Sequence, residues 1–304
     1  MRVGAFDCGT NSIRLLIADI DGNNFREVYR GMEIVRLGQA VDKTGQFHPD
    51  AIERTLNAVD NFTVELRRRG VEKLRFVATS ATRDATNRDL FLNGVHERLG
   101  IYPEVITGDE EAALSFQGAS RELPAAEGPL LVVDIGGGST EFVFGHSEVE
   151  AAKSVNIGCV RMSERHFHSD PPTADEIARA TVDIDAAIEN AGRLVPIKEA
   201  KTLIAVAGTA TTVAAAALGL SEYDPRAIHL SRIPAAKVHE ISKIFMKMTH
   251  AERAALPYMH EGRVDVITAG ALVLSEILTA TGAKEFVASE SDILDGMAWS
   301  LAKS

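Results

Sequence analysis

The chain has 304 residues, 45% of them apolar, and a formal net charge of −11. That length fits one large or two medium domains with full cores. The acidic balance argues against duplex nucleic acid as the main partner, and the longest apolar stretch, around residues 213–220, is too short to span a bilayer. No basic-then-apolar leader precedes Asp7, and Cys8 and Cys159 are the only cysteines, with no metal or redox spacing, so a cytoplasmic protein is expected.

Residues 2–20 read as a β-hairpin around Asp7-Cys8-Gly9-Thr10-Asn11-Ser12, and 25–37 as one or two further strands. Cys8 has no nearby His and reads as a small apolar filler. Pro49 opens a helix over 50–69 with Ile52, Leu56, Val59, Phe62 and Leu66 on one face. Arg67, Arg68 and Arg69 close it, either as partners of the helix dipole or as a polyanion track. A strand over 74–78 runs into a small-residue loop, 79–85, at the strand edge where α/β units bind ligands. Arg83 in that loop either contacts a phosphate or pairs with Asp84 or Asp89. A helix over 88–99 and a strand over 102–106 follow. Gly108 then opens a helix to about residue 123. Its first turn carries Asp109, Glu110 and Glu111, as dipole partners or with one of them aimed at a water. Residues 124–129, rich in Ala, Pro and Gly, read as the domain crossing.

The second half opens on Asp134-Ile135-Gly136-Gly137-Gly138-Ser139-Thr140-Glu141 between two apolar runs, Leu130 to Val133 and Phe142 to Phe144. Three glycines between strands bare the backbone N–H groups, which suits phosphate. The flanking acids Asp134 and Glu141 suit a divalent cation. The other reading is a glycine hairpin required only for its φ values. Residues 7–12 and 134–139 are both Asp-x-Gly-x-x-Ser, each after one apolar strand and before another, which points to a duplicated domain. A strand over 149–155, a helix over 158–168, a capping box at Thr173 and Glu176, and a helix to about residue 194 follow. A strand over 201–206 leads into the small-residue turn 207–212, with Gly208 and Thr209, and an Ala-rich helix, another anion-friendly geometry. Helices are expected over 234–248, 251–255, 263–281 and 292–302, with a last strand over 285–288. His168 and His229 have no partner at ligand spacing and read as structural.

Five motifs stand in one order: Asp7-x-Gly9-Thr10-Asn11-Ser12-x-Arg14, Thr79-Ser80-Ala81-x-Arg83, Gly108-x-Glu110-Glu111-Ala112, Asp134 to Glu141, and Gly208-Thr209-x-Thr211-Thr212. With them the chain closely resembles the exopolyphosphatase and guanosine pentaphosphate phosphohydrolase family, in its short actinobacterial two-domain form. That family lies within the sugar kinase, heat-shock ATPase and actin superfamily. The resemblance implies an α/β fold of two duplicated actin-like (ribonuclease H-like) domains with an active-site cleft between them. Domain I would cover 1 to about 123, with the last helix, about 291–304, packing back onto it, and domain II 124–290. It implies that Glu111, with Glu110 as the fallback, positions the attacking water. Asp134, Glu141 and Asp7 would hold Mg²⁺ or Mn²⁺. Asn11, Ser12, Arg14, Arg83, Gly136, Gly137, Gly138, Ser139, Thr140, Gly208 and Thr209 would hold phosphate. One departure stands out: where family members often carry Gly-x-Arg-x-Gly, this chain reads Asp292-Ile293-Leu294-Asp295-Gly296.

The expected activity is removal of terminal phosphate from inorganic polyphosphate, short chains before long, because the longer relatives' C-terminal domain is absent and the chain is acidic. The alternatives are hydrolysis of pppGpp, a superfamily kinase, and a non-catalytic guanosine-nucleotide sensor. A homodimer is expected, and no membrane partner.

Overall fold

In the computed structural model, which describes residues 1–303, the chain divides into two compact units: Met1–Gly118 with the last helix, and Ala119–Asp292. The first unit is built from β1 (Arg2–Cys8), β2 (Ser12–Asp21), β3 (Asn24–Ile34), α1 (Val41–Thr44), α2 (Pro49–Arg69), β4 (Lys73–Ala78), α3 (Ser80–Asp84), α4 (Asp89–Leu99), β5 (Glu104–Val105) and α5 (Gly108–Ser120). The second holds β6 (Leu130–Ile135), β7 (Thr140–Gly145), β8 (Val149–Val155), α6 (Cys159–His166), α7 (Ala174–Gly192), β9 (Thr202–Val206), α8 (Ala207–Leu218), α9 (Pro225–Ile228), β10 (Arg232–Pro234), α10 (Ala235–Lys247), α11 (His250–Ala254), α12 (Ile267–Thr281) and β11 (Glu285–Ala288). The last helix is α13 (Ile293–Lys303).

The duplication is visible in the topology. The first sheet runs β3-β2-β1-β4-β5, and the second, read from its other edge, β8-β7-β6-β9-β11-β10. In each, an antiparallel hairpin lies beside a parallel neighbour that enters after a helical crossover: β4 beside β1, β9 beside β6. The registers agree as well. Asp7 pairs with Arg14 across the hairpin and with Val77 on the parallel side; Asp134 pairs with Glu141 and Val206.

The central strands β1 and β6 are buried almost throughout, as strands covered on both faces must be. In the first unit, Phe6 and Cys8 face α2 and α4, where the Phe6 and Phe76 rings stack at 4.7 Å and Phe62 and Phe91 close the layer. Alternate residues Val3 and Ala5 face the other way, onto Leu294, Met297 and Ala298 of α13. α13 lies backbone-close to α5: a Cβ on Gly296 would sit 2.0 Å from the Leu114 carbonyl oxygen. The departure at 292–296 therefore has a structural account. Gly296 serves the packing, Leu294 is buried in the core, and Asp295 pairs with Arg30 at 2.8 Å. The core of the second unit joins its sheet to α7, α8, α10 and α12.

Local expectations differ from the structure at several points. The loop expected over 79–85 contains the one-turn helix α3. The strand expected over 102–106 pairs only at Glu104–Val105. The helix expected to about 123 ends at Ser120, and the division between units falls in its last turn. Residues 124–129 lie within the second unit and include a 3₁₀ turn, Ala125–Glu127. The turn expected over 207–212 is already helix, because Ala207 takes a left-handed φ of 65° and swings the chain straight from β9 into α8. α1, α9 and β10 are too short to leave a periodic signal in the sequence. No helix among the described residues is long and apolar enough to cross a membrane.

The Thr173–Glu176 capping box is present at the start of α7, and backbone N–H groups of Thr173 and His168 donate to the Glu176 carboxylate. These bonds hold its pKa down at about 2 from 4.5. A carboxylate depressed in the fold adds stability above its unfolded pKa and loses that contribution as pH falls through the folded value. Stability should therefore drop between pH 4.5 and about 2, and Glu176→Gln should flatten that part of the denaturant-midpoint profile. An unchanged profile in the variant would remove Glu176 from the acid transition.

Candidate functional site

The turn in the second unit is shaped by the segment beyond its third strand. Gly136 N–H closes the turn on the Ser139 carbonyl at 3.1 Å. The three glycine carbonyls are then captured by residues 158–161. Gly136 accepts from Cys159 N–H at 2.9 Å, Gly137 from Val160 at 2.9 Å and Arg161 at 3.1 Å, and Gly138 from Gly158 at 3.2 Å. The carbonyl of Gly138 also accepts from the Arg161 Nε–H at 2.7 Å. A trans peptide sets each C=O opposite the next residue's N–H. With the carbonyls turned onto α6, the N–H groups of Gly137, Gly138 and Ser139 are directed to the other side, an arrangement suited to an anion.

The glycines serve this approach rather than unusual dihedrals. None of Gly136, Gly137 and Gly138 is among the residues with a left-handed φ. Gly158, however, has no room for a side chain: a Cβ there would lie 2.3 Å from the Gly137 carbonyl.

The first unit repeats the device with different residues. Gly9 N–H closes on the Ser12 carbonyl at 3.0 Å, Thr10 accepts from Gly38 N–H at 2.8 Å, and Asn11 accepts from Val35 and Arg36 at 3.0 and 2.8 Å. The N–H groups of Asn11 and Ser12 are thereby turned outward. α3 lies alongside, since a Cβ on Gly38 would meet both Thr10 Cγ2 and Ala81 Cβ.

The two rows of residues across the sheets differ. In the second unit, Asp134, Glu141 and Ser154 stand in register on β6, β7 and β8. Both carboxylates are buried, Glu141 completely, and it accepts from Ser154 Oγ at 2.6 Å. In the first unit the same row reads Asp7, Arg14, Met32. Arg14 donates to Asp7 Oδ2 from Nε at 3.0 Å and from Nη2 at 2.6 Å. Where one unit carries its own cation opposite the aspartate, the other carries a second acid. Hard oxygen donors suit Mg²⁺, which takes one or two protein carboxylates and fills its shell with water and phosphate oxygens. Among the described residues no group of three His, Cys, Asp or Glu side chains gathers as a full protein cage.

Arg83 pairs with neither Asp84 nor Asp89, its candidate partners in the sequence. Its Nη1 donates to Glu111 Oε2 at 2.7 Å and to the Ile106 carbonyl at 3.0 Å, joining α3 to the start of α5. Thr107 Oγ1 accepts from Glu110 N–H at 3.2 Å and fixes that helix start. Glu110 and Glu111, adjacent in sequence, have different surroundings. Glu111 is 8% exposed and tied to Arg83; Glu110 pairs with Arg75 at 2.6 Å, beside Glu104. Arg75 also donates to Ser300 Oγ, so Glu110 belongs to the contact with α13.

Gly208 and Thr209 form the first turn of α8, with the Arg263 guanidinium against Gly208 and bonded to its carbonyl at 3.0 Å. Ser139 is buried, and the Thr140 hydroxyl donates to the Ile157 carbonyl at 3.0 Å. Burial pushes the Cys8 thiol well up, with the Asp7 charge adding to it, and burial also raises Cys159, so neither is poised as a nucleophile. His229 binds Glu122 and the Glu290 N–H, a structural placement. Sequence reasoning missed Arg161, Ser154 and Gly158. Ser154 lies thirteen positions from Glu141 and becomes its neighbour only through the ladder register.

The Ppx/GppA phosphatase family model matches residues 16–304. The chain belongs to that family. It is 49% identical to exopolyphosphatase 2 of Mycobacterium tuberculosis over 99% of this chain and 98% of the relative. A crystal structure of an exopolyphosphatase-like protein superimposes with a TM-score of 0.96 at 43% identity, covering 99% of this chain and 97% of that one. A more distant relative is the guanosine-5'-triphosphate,3'-diphosphate pyrophosphatase of Aeromonas salmonicida, 26% identical over 98% of this chain and 58% of that protein. With the repeated topology, these likenesses give this Ppx/GppA member an α/β fold of two related units.

Proposed function

We propose that this Ppx/GppA member removes the terminal phosphoryl group of inorganic polyphosphate, short chains before long. The observation that carries the reading is Glu111: a buried carboxylate at a helix start, held by Arg83, in a chain whose two turns direct N–H groups outward as phosphate sites. The relatives' names support the substrate class.

In this reading the outward N–H groups of Asn11, Ser12, Gly137, Gly138 and Ser139 bind phosphate oxygens, with Gly208 and Thr209 completing the second unit's phosphate-binding side, while the buried Thr140 spends its hydroxyl on the Ile157 carbonyl. Glu111 accepts a proton from water as the water oxygen bonds to the terminal phosphorus. The bridging P–O bond breaks, and its electron pair leaves with the shortened chain. Catalysis is positioning and charge stabilisation. Arg83 orients Glu111, and Arg14 keeps Asp7 neutralised beside the first turn. Mg²⁺ or Mn²⁺ held by Asp134 and Glu141 would supply the positive charge that an acidic protein lacks for a polyanion.

A second substrate, pppGpp, presents the same terminal anhydride, and the Aeromonas relative is named for it. A kinase would need an acceptor, and a pure sensor has no use for the Glu111–Arg83 arrangement. The buried thiols fit a reducing cytoplasm. A homodimer belongs to the same reading, through exposed apolar residues on second-unit helices such as Val182 and Ile244; sedimentation at the monomer mass would remove it.

Phosphate release should be measured on tripolyphosphate, long polyphosphate, pppGpp and ATP with Mg²⁺ or Mn²⁺. Glu111→Gln should lower release at least about 100-fold with binding retained, whereas Glu110→Gln should stay within about threefold. Turnover at the wild-type rate in Glu111→Gln overturns the assignment, and faster turnover on long chains overturns the chain-length preference. Mn²⁺ affinity, read by electron paramagnetic resonance, should fall at least about tenfold in Asp134→Asn and stay within about twofold in Asp7→Asn. Equal losses in both variants would count Asp7 as a ligand as well.

A further inference from the structure

We infer that Arg161 is a positioning residue that sets and polarises the Gly138–Ser139 peptide, making the Ser139 N–H the strongest phosphate donor of the glycine turn. The inference rests on the phosphate-binding reading of that turn.

Both lone pairs of the Gly138 carbonyl are occupied, one by Gly158 N–H and one by the Arg161 Nε–H at 2.7 Å. At the matching place in the first unit, the Asn11 carbonyl accepts two backbone N–H groups, from Val35 and Arg36. The duplicated turn has thus exchanged one neutral donor for a guanidinium. Arg161 is 9% exposed, so little water screens this bond. Charge-assisted hydrogen bonds are about twice as strong as neutral ones. A carbonyl pulled by a cation draws electron density from its own peptide nitrogen, and hydrogen-bond chains strengthen cooperatively. The group at the far end of this peptide is the Ser139 N–H, on the outward side of the turn.

The arrangement is also rigid. Arg161 grips the turn with its backbone N–H on Gly137 and its side chain on Gly138, and Gly158 lies against the preceding Gly137–Gly138 peptide, where a Cβ would clash. Loss of the guanidinium leaves the Gly138 carbonyl with its neutral partner only. The peptide plane then loses its polarisation, while the main-chain path stays.

A donor that binds the phosphate chain equally in the ground and transition states affects KM rather than kcat. In Arg161→Gln, KM for tripolyphosphate should rise about tenfold with kcat within about threefold of wild type, and Arg161→Lys, which keeps a charged donor, should recover part of the loss. In the non-hydrolysing Glu111→Gln background, the Kd for tripolyphosphate should rise by the same factor when Arg161→Gln is added. A purely structural role predicts a lower melting temperature with unchanged KM in the folded fraction, and that result overturns the inference. So does a Lys variant no better than the Gln variant. Should both variants melt below the assay temperature, titration of tripolyphosphate into ¹⁵N-labelled Glu111→Gln protein decides: the Ser139 amide should shift more than those of Gly137 and Gly138. A stationary Ser139 amide overturns the inference. Failure of tripolyphosphate to bind the Glu111→Gln protein at all would instead defeat the phosphate-binding reading of the turn, so the two failures are distinct.

Discussion

The capture of the turn carbonyls by the segment after the third strand organises both units. A trans peptide cannot present its C=O and N–H on the same side, so fixing one fixes the other. In the second unit residues 158–161 take the carbonyls of three successive glycines; in the first, residues 35–38 take those of Thr10 and Asn11. The ligand-facing surface is thus decided by bonds made on the opposite side of the turn. The absence of a Cβ at Gly158 is what lets α6 come close enough to make them.

From that shared frame the two units diverge at one residue pair. Opposite Asp7 stands Arg14, and the pair is neutral. Opposite Asp134 stands Glu141, fully buried and bonded to Ser154. The same ladder position therefore yields a self-compensated turn in one unit and a carboxylate pair fit for a divalent cation in the other. The geometry of the two turns is shared, and the residue facing the aspartate on the second strand is where they differ.

The neighbouring acids on α5 show how finely the helix start is set. Successive helical residues point about 100° apart, so Glu110 reaches Arg75 and the α13 side while Glu111 reaches Arg83. Thr107 caps the turn from which both emerge. No periodicity in residues 108–111 distinguishes them, and the resemblance to the family favoured Glu111 without a geometric reason. In the fold the two side chains differ in burial and partner, Glu111 lying buried against Arg83 and Glu110 exposed against Arg75.

The sequence by itself determined the strand–turn–strand repeat, the α/β class, the capping box of α7 and the residues of the two turns. All of these rest on interactions between positions a few residues apart, where alternation, glycine and helix caps leave a local trace. Tertiary structure alone decided the orientation of the turn peptides, the partner of Arg83, the register that sets Ser154 beside Glu141, and the division of the chain inside α5. It also explained the departure at 292–296, where Gly296 meets the Leu114 carbonyl and Leu294 enters the core. These depend on contacts between segments distant in sequence, and one sequence carries no local signal for a contact that only the folded sheet brings together.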